Sequence, residues 1–329
     1  MSPFQPSPST PSQSSPKAVK RLVTPIPRYE RTSSDNLPVL RLTDRDRRIL
    51  ETVHTHDGVL SFEQLKRLFF GSRTATTNRL MLLYQHGYLE RLNRRQRAAC
   101  PDMLYWLGER GAAYVAGLSG LSLSEFSYRR EPRWSQVEHD LAVNEVRIAL
   151  TKACEQETGF DLLQWIPESE FHAQPDRVEY VDATGKRDTR TLIPDGFCQL
   201  EREGRSFRFL WEIDRRTEDN PRFVREKVLP GLAYLDSPLY QTRFGTHAGQ
   251  WLIVTTGERR LRNMKRQTEL AAKKDANRFY FTILDQITPE TILTRPIWQR
   301  GGETEPLPLF KTGEKIFAAS ARKPRPSMP

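Results

Sequence analysis

The stretch SRTATTNRLMLLYQHGYLE, residues 72–90, decides how the first third of the chain reads. Ser72 can cap a helix running to about His86, and Leu80, Leu83 and Tyr84 are spaced to pack inward. Arg73, Thr74, Thr76, Thr77, Asn78 and Arg79 crowd the N-terminal end of the same helix. Short polar and cationic groups suit base edges and phosphates, and recognition helices present their first residues to the major groove. Upstream, Thr43 with Asp44 and Asp46 opens a helix whose buried side is Ile49, Leu50 and Val53. Asp57-Gly58 breaks it, and Ser61 with Gln64 starts a second short helix carrying Phe62, Leu65, Leu68 and Phe69. Downstream of Gly87, Tyr88–Leu92 reads as a strand and Tyr105–Leu107 as its return partner. Arg91, Arg94, Arg95 and Arg97 fall in or beside the connection, read as a mobile basic loop suited to the phosphate backbone. The order predicts a winged helix-turn-helix over residues 39–118 that binds double-stranded DNA through these ten polar and basic residues without a cofactor.

Composition agrees with a polyanionic partner. The 329 residues hold 51 Lys and Arg against 41 Asp and Glu, a net charge of +10 and a pI near 9.6. The length suffices for two domains. No run approaches the roughly eighteen apolar residues that span a bilayer, and the N-terminal stretch lacks the apolar segment of a secretory signal. Cys100, Cys154 and Cys198 are too few and too scattered for a disulfide framework or a zinc site, and a reducing cytoplasm is the expected compartment. His54-Thr55-His56, the one close histidine pair, reads as a solvated helix end. No glycine-rich phosphate cradle or serine-nucleophile motif is present. Residues 1–38, rich in Ser and Pro, and 301–329, basic and Pro-bearing, read as disordered tails.

Residues 119–134 read as a linker to a second domain over 135–300. There a long helix from about Ser135 to Glu157 precedes a strand over Phe160–Ile166. A hairpin over Arg177–Val181 and Thr189–Ile193 follows, its second strand continuing through Pro194-Asp195-Gly196 to Leu200. A strand over Ser206–Asp214, a helix over Asn220–Leu235, a strand over Trp251–Thr255, a basic helix over Glu258–Lys274 and a strand over Phe279–Leu284 complete a mixed α/β sheet. Strand alternation puts Phe207, Phe209, Trp211 and Ile213 on one face and Arg208, Leu210, Glu212 and Asp214 on the other. Trp165, Trp211, Trp251 and Trp298 sit in apolar runs and read as packing residues. Arg259, Arg260, Arg262, Lys265, Arg266, Lys273 and Lys274 make the last helix a solvated cationic face or a second DNA contact.

Glu212 and Asp214 thus share one side of a strand, with Asp195 supplied by the strand before. Carboxylates so grouped suit Mg²⁺ or Mn²⁺, which take hard oxygen ligands at about 2.1 Å for Mg²⁺ and activate water. Pro194-Asp195 followed by Glu212-x-Asp214 resembles the PD-(D/E)xK nuclease pattern. With the winged helix in front, and with the segments Val137–Asn144 and Leu210–Arg215, the chain resembles the replication-relaxation family of bacterial plasmids and integrated elements over about residues 40–285. That resemblance implies DNA handling in replication, relaxation, mobilisation or their regulation, with a homodimer and relaxosome or replication proteins as partners. It also implies Asp195, Glu212 and Glu138 as metal ligands and Asp195, Glu212 and Asp214 as catalytic residues. The pattern departs at one place: Asp214 stands where the nuclease lysine belongs, leaving Lys227 on the next helix, or Arg215 and Arg216, as substitutes. Arginine does not deprotonate in proteins and substitutes poorly. A degenerate scaffold is therefore favoured over an active endonuclease or nickase, and a repressor of the element's own genes shares the same architecture.

Overall fold

The computed structural model describes residues 30–32, 37–100, 102–182, 184–215 and 220–311; the expected tails up to residue 29 and beyond residue 311, and Arg216, lie outside them. Helix α1 (Asp44–Thr55) starts at a capping box in which Thr43 and Asp46 satisfy each other's backbone N–H, burying Ile49, Leu50 and Val53. Strand β1 (Leu60–Ser61) leads into a second capping box, Ser61 with Gln64, that opens α2 (Phe62–Phe69). Ser72 caps α3 (Arg73–Gln85). Strand β2 (Leu89–Arg91), helix α4 (Arg94–Ala99), strand β3 (Leu104–Leu107) and helix α5 (Glu109–Leu118) follow, and the strands form an antiparallel sheet in the order β1-β3-β2. Gly111 lets α5 sit on the sheet, because a Cβ there would lie 2.0 Å from the Tyr88 carbonyl oxygen. The expected loose arginine loop is instead largely helix α4, started by a capping box between Asn93 and Gln96.

Helix α6 (Val137–Gln156), β4 (Phe160–Pro167) and α7 (Glu168–Ala173) begin the second half. Then come β5 (Asp176–Val181), β6 (Arg187–Leu192), β7 (Gly196–Arg202) and β8 (Arg205–Ile213). Helix α8 (Asn220–Phe223), a π-helical turn (Val224–Val228) and α9 (Leu229–Leu235) form one irregular helical run, and α10 (Pro238–Phe244) starts anew from its N-cap Ser237. Strand β9 (Gln250–Thr255), α11 (Glu258–Ala272), β10 (Phe279–Ile283) and β11 (Gln299–Arg300) complete the fold. The six-stranded sheet runs β11-β10-β9-β8-β7-β4, with β8, β9 and β10 parallel and the other neighbours antiparallel. The expected continuous strand from the hairpin to Leu200 is broken at residues 193–195: β5 and β6 form a separate ribbon, while β7 joins the main sheet. The break turns Asp195 toward the sheet end, where its backbone N–H donates to Trp211 O (3.0 Å).

The alternation of β8 is as the sequence predicts. Phe209, Trp211 and Ile213 pack under α6, and Leu210 packs on the other face with Phe223 and Val228. Trp211, Trp251 and Trp298 are fully buried, while Trp165 is half-buried with the Arg147 guanidinium 5.5 Å above its ring. Residues 301–311, expected as part of the C-terminal tail, are packed on the fold: Phe310 is buried among Phe160, Phe207 and Phe209.

Residues 119–134, expected as a plain linker, are partly packed: Leu123, Phe126 and Tyr128 lie on the first core, and Phe126 meets His54 at 4.6 Å. Helix α6 joins both cores. Ala142, Val146, Ala149 and Leu150 face the large sheet, while Ile148 enters the core of Ile49, Leu50 and Leu83. Buried Asn144 donates through Nδ2 to His56 O (3.1 Å) and Val59 O (2.9 Å), and Gln64 Nε2 donates to Leu141 O (2.9 Å). Arg67 pairs with both carboxylate oxygens of Glu145 (2.5 Å each), and Arg147 donates to Thr55 O (2.5 Å). His56 is consequently buried rather than solvated, and burial together with the Arg147 charge lowers its pKa to about 3. Asn144→Leu takes the side-chain donor from the buried Val59 carbonyl and leaves His56 O with the Val59 N–H alone, and is expected to cost about 2 kcal/mol. Calorimetry of the wild type should show one transition that this variant lowers as a whole; two separate wild-type transitions would refute the shared role of α6.

Candidate functional site at the end of the large sheet

The break before β7, the end of β8, the first turn of α6 and the π-helical turn converge on a cleft of about 480 Å³. Its lining includes Gln136, His139, Glu168, Asp195, Glu212, Asp214 and Lys227. Asp195 Oδ2 accepts the Ile213 N–H (2.6 Å) and faces His139 Nε2 (3.2 Å). The other ring nitrogen of His139 lies 3.8 Å from Asp140 Oδ1. Asp140, fully buried, is gripped by Arg133, which reaches on to Glu168 (2.9 Å). Lys227 Nζ donates to Glu212 Oε2 (2.6 Å) and to Ile193 O (3.1 Å). Asp214 is held at two points by Arg260 (2.8 and 3.1 Å) and accepts the Thr255 hydroxyl (3.0 Å).

The three carboxylates line one cleft, and Lys227 reaches Glu212. A π-helical turn re-aims the side chains of a helix, and that turn carries Lys227. Two features departed from expectation. Glu138, expected as a metal ligand, is an exposed residue paired with Arg215 (2.5 Å) on the outer wall. Asp195, Glu212 and Asp214, expected to share one ion, each hold a protein cation instead: His139, Lys227 and Arg260. Among the described residues no three His, Cys, Asp or Glu side chains gather as a metal-holding set. A divalent ion needs carboxylate oxygens at close range, so this donor set does not fit one as it stands. His139 and Arg133 escaped the sequence reading, although His139 lies inside a motif that it singled out. Arg260, expected on a cationic helix face open to solvent or to a second DNA contact, turns onto Asp214.

Burial opposes charge on Asp195, yet the hydrogen bond and charge of His139, the Lys227 charge and the Ile213 N–H together hold its pKa below the ordinary value. Burial also opposes protonation of His139, but hydrogen bonds to Asp140 and Asp195 and the nearby carboxylate charges lift its pKa to about 10.

The expected groove residues divide. Arg73, Thr74, Asn78, Arg94 and Arg95 are exposed and Thr77 is half-buried. Arg73 pairs with Glu63 (3.0 Å) while its side chain stays 73% exposed. Four others are occupied inside the fold. Thr76 is buried and its hydroxyl donates to Ser72 O (2.7 Å). Arg79 turns onto buried Asp46 (Nε to Oδ1, 2.7 Å) and Arg41 O (2.9 Å). Arg91 is buried with its guanidinium 4.6 Å from the Tyr84 ring, and Arg97 donates to Cys100 O. Each of the three arginines lies against an acceptor or an aromatic ring of the fold. Exposed Arg45 and Arg48 of α1, absent from the expected set, lie over the rings of Phe70 and Phe69.

Fold and cleft define a mixed α/β protein with a charge-compensated carboxylate cluster at one sheet end. The sequence profile described as replication-relaxation matches residues 50–229, more than half of the chain, and the chain belongs to that family. The matched span runs from α1 through every cluster residue except Arg260. Membership points to a role in the replication or relaxation of plasmids or mobile elements. Neither the curated proteins nor the solved structures yield a match. No helix among the described residues is long and apolar enough to cross a membrane.

Because the folded-state pKa of His139 is raised from 6.5 to about 10, its stabilising contribution is fully present below about pH 6.5. It declines as pH rises and is gone above about pH 10. Thermal melts of the wild type should show this loss, and His139→Gln should be less stable at neutral pH with a flatter profile. Parallel profiles for the two proteins would contradict the assignment.

Proposed function

We propose that the chain is a cytoplasmic double-stranded-DNA-binding protein acting in replication, relaxation or mobilisation of a plasmid or integrated element. In this reading residues 39–118 are a winged helix that grips DNA. Residues 135–300 are a nuclease-like unit serving as a clamp, dimerisation or partner-docking module for replication or relaxosome proteins. The observation that carries it is the pairing of two exposed features: the start of α3, with Arg73, Thr74 and Asn78, and the start of α4, with Arg94 and Arg95. Short polar groups at a helix start suit groove edges, and two exposed arginines suit phosphates. The family assignment supports the same reading.

Arg94→Ala/Arg95→Ala is expected to weaken duplex binding about ten-fold and to reduce the slope of log K against log salt by about 2, one for each lost phosphate contact. Gel shift or anisotropy across a salt series measures both. Unchanged affinity and unchanged slope would remove α4 from the DNA surface.

One observation favours a second reading, a metal-dependent endonuclease or nickase: Lys227 stands 2.6 Å from Glu212, supplying the lysine that the strand lacks. The pairing of every carboxylate ranks this reading second. Incubation with supercoiled plasmid and Mg²⁺ or Mn²⁺ separates the two. The binding protein leaves wild-type and Asp195→Asn reactions alike, shifted and intact. A nuclease nicks the plasmid and loses that activity in the variant while still binding.

A further inference from the structure

The carboxylate cluster is where a divalent ion is expected, and its own cations stand in the way. Asp195 Oδ2 already serves the Ile213 N–H and His139 Nε2, and Glu212 Oε2 already serves Lys227 Nζ. Neither cation is loosely placed. His139 is backed by Asp140, which Arg133 grips and ties to Glu168, so its ring is held between two carboxylates. Lys227 is anchored a second time on Ile193 O (3.1 Å). Asp214 faces away into a two-point contact with Arg260 and the Thr255 hydroxyl. With Asp214 so engaged, Asp195 and Glu212 are the pair, among the described residues of the three-carboxylate set, that an entering ion would use.

We propose that the cluster is a metal-free electrostatic clasp, joining α6, the π-helical turn and α11 to the sheet end, and that His139 is the residue that keeps a divalent cation out. His139 lines the cleft beside Asp195, and its side chain is 25% exposed against 19% for Lys227 and 15% for Arg260, so it is the most accessible of the three cations that pair Asp195, Glu212 and Asp214. Deleting the imidazole leaves Asp195 without its nearest compensating charge in a cleft wide enough for a hydrated ion, beside Glu212. A small hard cation is the ligand class that such a pair of carboxylates takes. Fixed positive groups next to it are what disfavour it in the intact protein.

The test uses the full-length chain and MnCl₂ alone as the probe, read by calorimetry and by the electron paramagnetic resonance of free Mn²⁺. Wild type is expected to bind no Mn²⁺ at the cluster, and its melting temperature should not move in millimolar MnCl₂. His139→Ala should melt lower in metal-free buffer, regain melting temperature with Mn²⁺, and bind the ion at least about ten-fold more tightly than wild type. Adding Asp195→Asn to that variant should abolish the gain. His139→Gln, which keeps the size of the side chain and an amide donor, should gain Mn²⁺ in the same direction if the alanine variant folds poorly. Wild-type Mn²⁺ binding that Asp195→Asn removes would overturn the proposal and make the cluster a metal centre. Failure of both His139 variants to gain Mn²⁺ would overturn it too, because another group would then be the barrier. The proposal rests on the cluster alone, so loss of the DNA-binding reading in the salt series would leave it standing, and the reverse also holds.

Discussion

Helix α6 is the element on which the rest of the protein hangs, because it is buried on two sides by two different cores. A helix with one apolar stripe can dock on one partner, whereas α6 gives Ala142, Val146 and Ala149 to the large sheet and Ile148 to the N-terminal helices. Between those stripes lies a polar residue that burial would normally penalise. Asn144 is tolerated because its side-chain amide supplies the donor for two carbonyls at the end of α1 and the start of β1. The first turn of the same helix delivers His139 and Asp140 to the carboxylate cluster. One helix thus sets the separation between the exposed starts of α3 and α4 and the cleft at the sheet end.

Charge compensation is the second constraint. Six acidic residues meet at or beside the cleft; Glu138 is exposed, and burying any of the other five unpaired would cost several kcal/mol. Each is answered by a cation from another element: Arg133 for Asp140 and Glu168, His139 for Asp195, Lys227 for Glu212, Arg260 for Asp214 and Arg215 for Glu138. The pairs stitch α6, α7, the π-helical turn and α11 to the strand ends.

Much was legible in the chain itself. Capping boxes announce α1 and α2, the alternation along β8 sorts its two faces, and three carboxylates fall within two short segments that the fold brings together. Lys227 was legible only as a candidate, since helical period alone does not say that a π-helical turn will aim it at Glu212. The arginine-rich connection misled for a clear reason: basic composition argues for solvent, whereas the Asn93–Gln96 capping box argues for a helix, and the local hydrogen bonds prevailed. Arg79 and Arg91 misled similarly, because a long cationic stem can lie inward when Asp46 or the Tyr84 ring waits there.

What the sequence determined by itself is whatever depends on near neighbours: the starts of the helices, the periods of their buried faces, the alternation of β8 and the positive charge. These follow from backbone hydrogen bonding and side-chain spacing over a few residues. Tertiary structure alone decided which cations meet which carboxylates, which arginines stay in solvent, and that α6 belongs to two cores at once. Those outcomes depend on residues that are far apart in the chain, such as Asp214 and Arg260 or Asn144 and His56. Their pairing is enforced only when folding removes water from both partners.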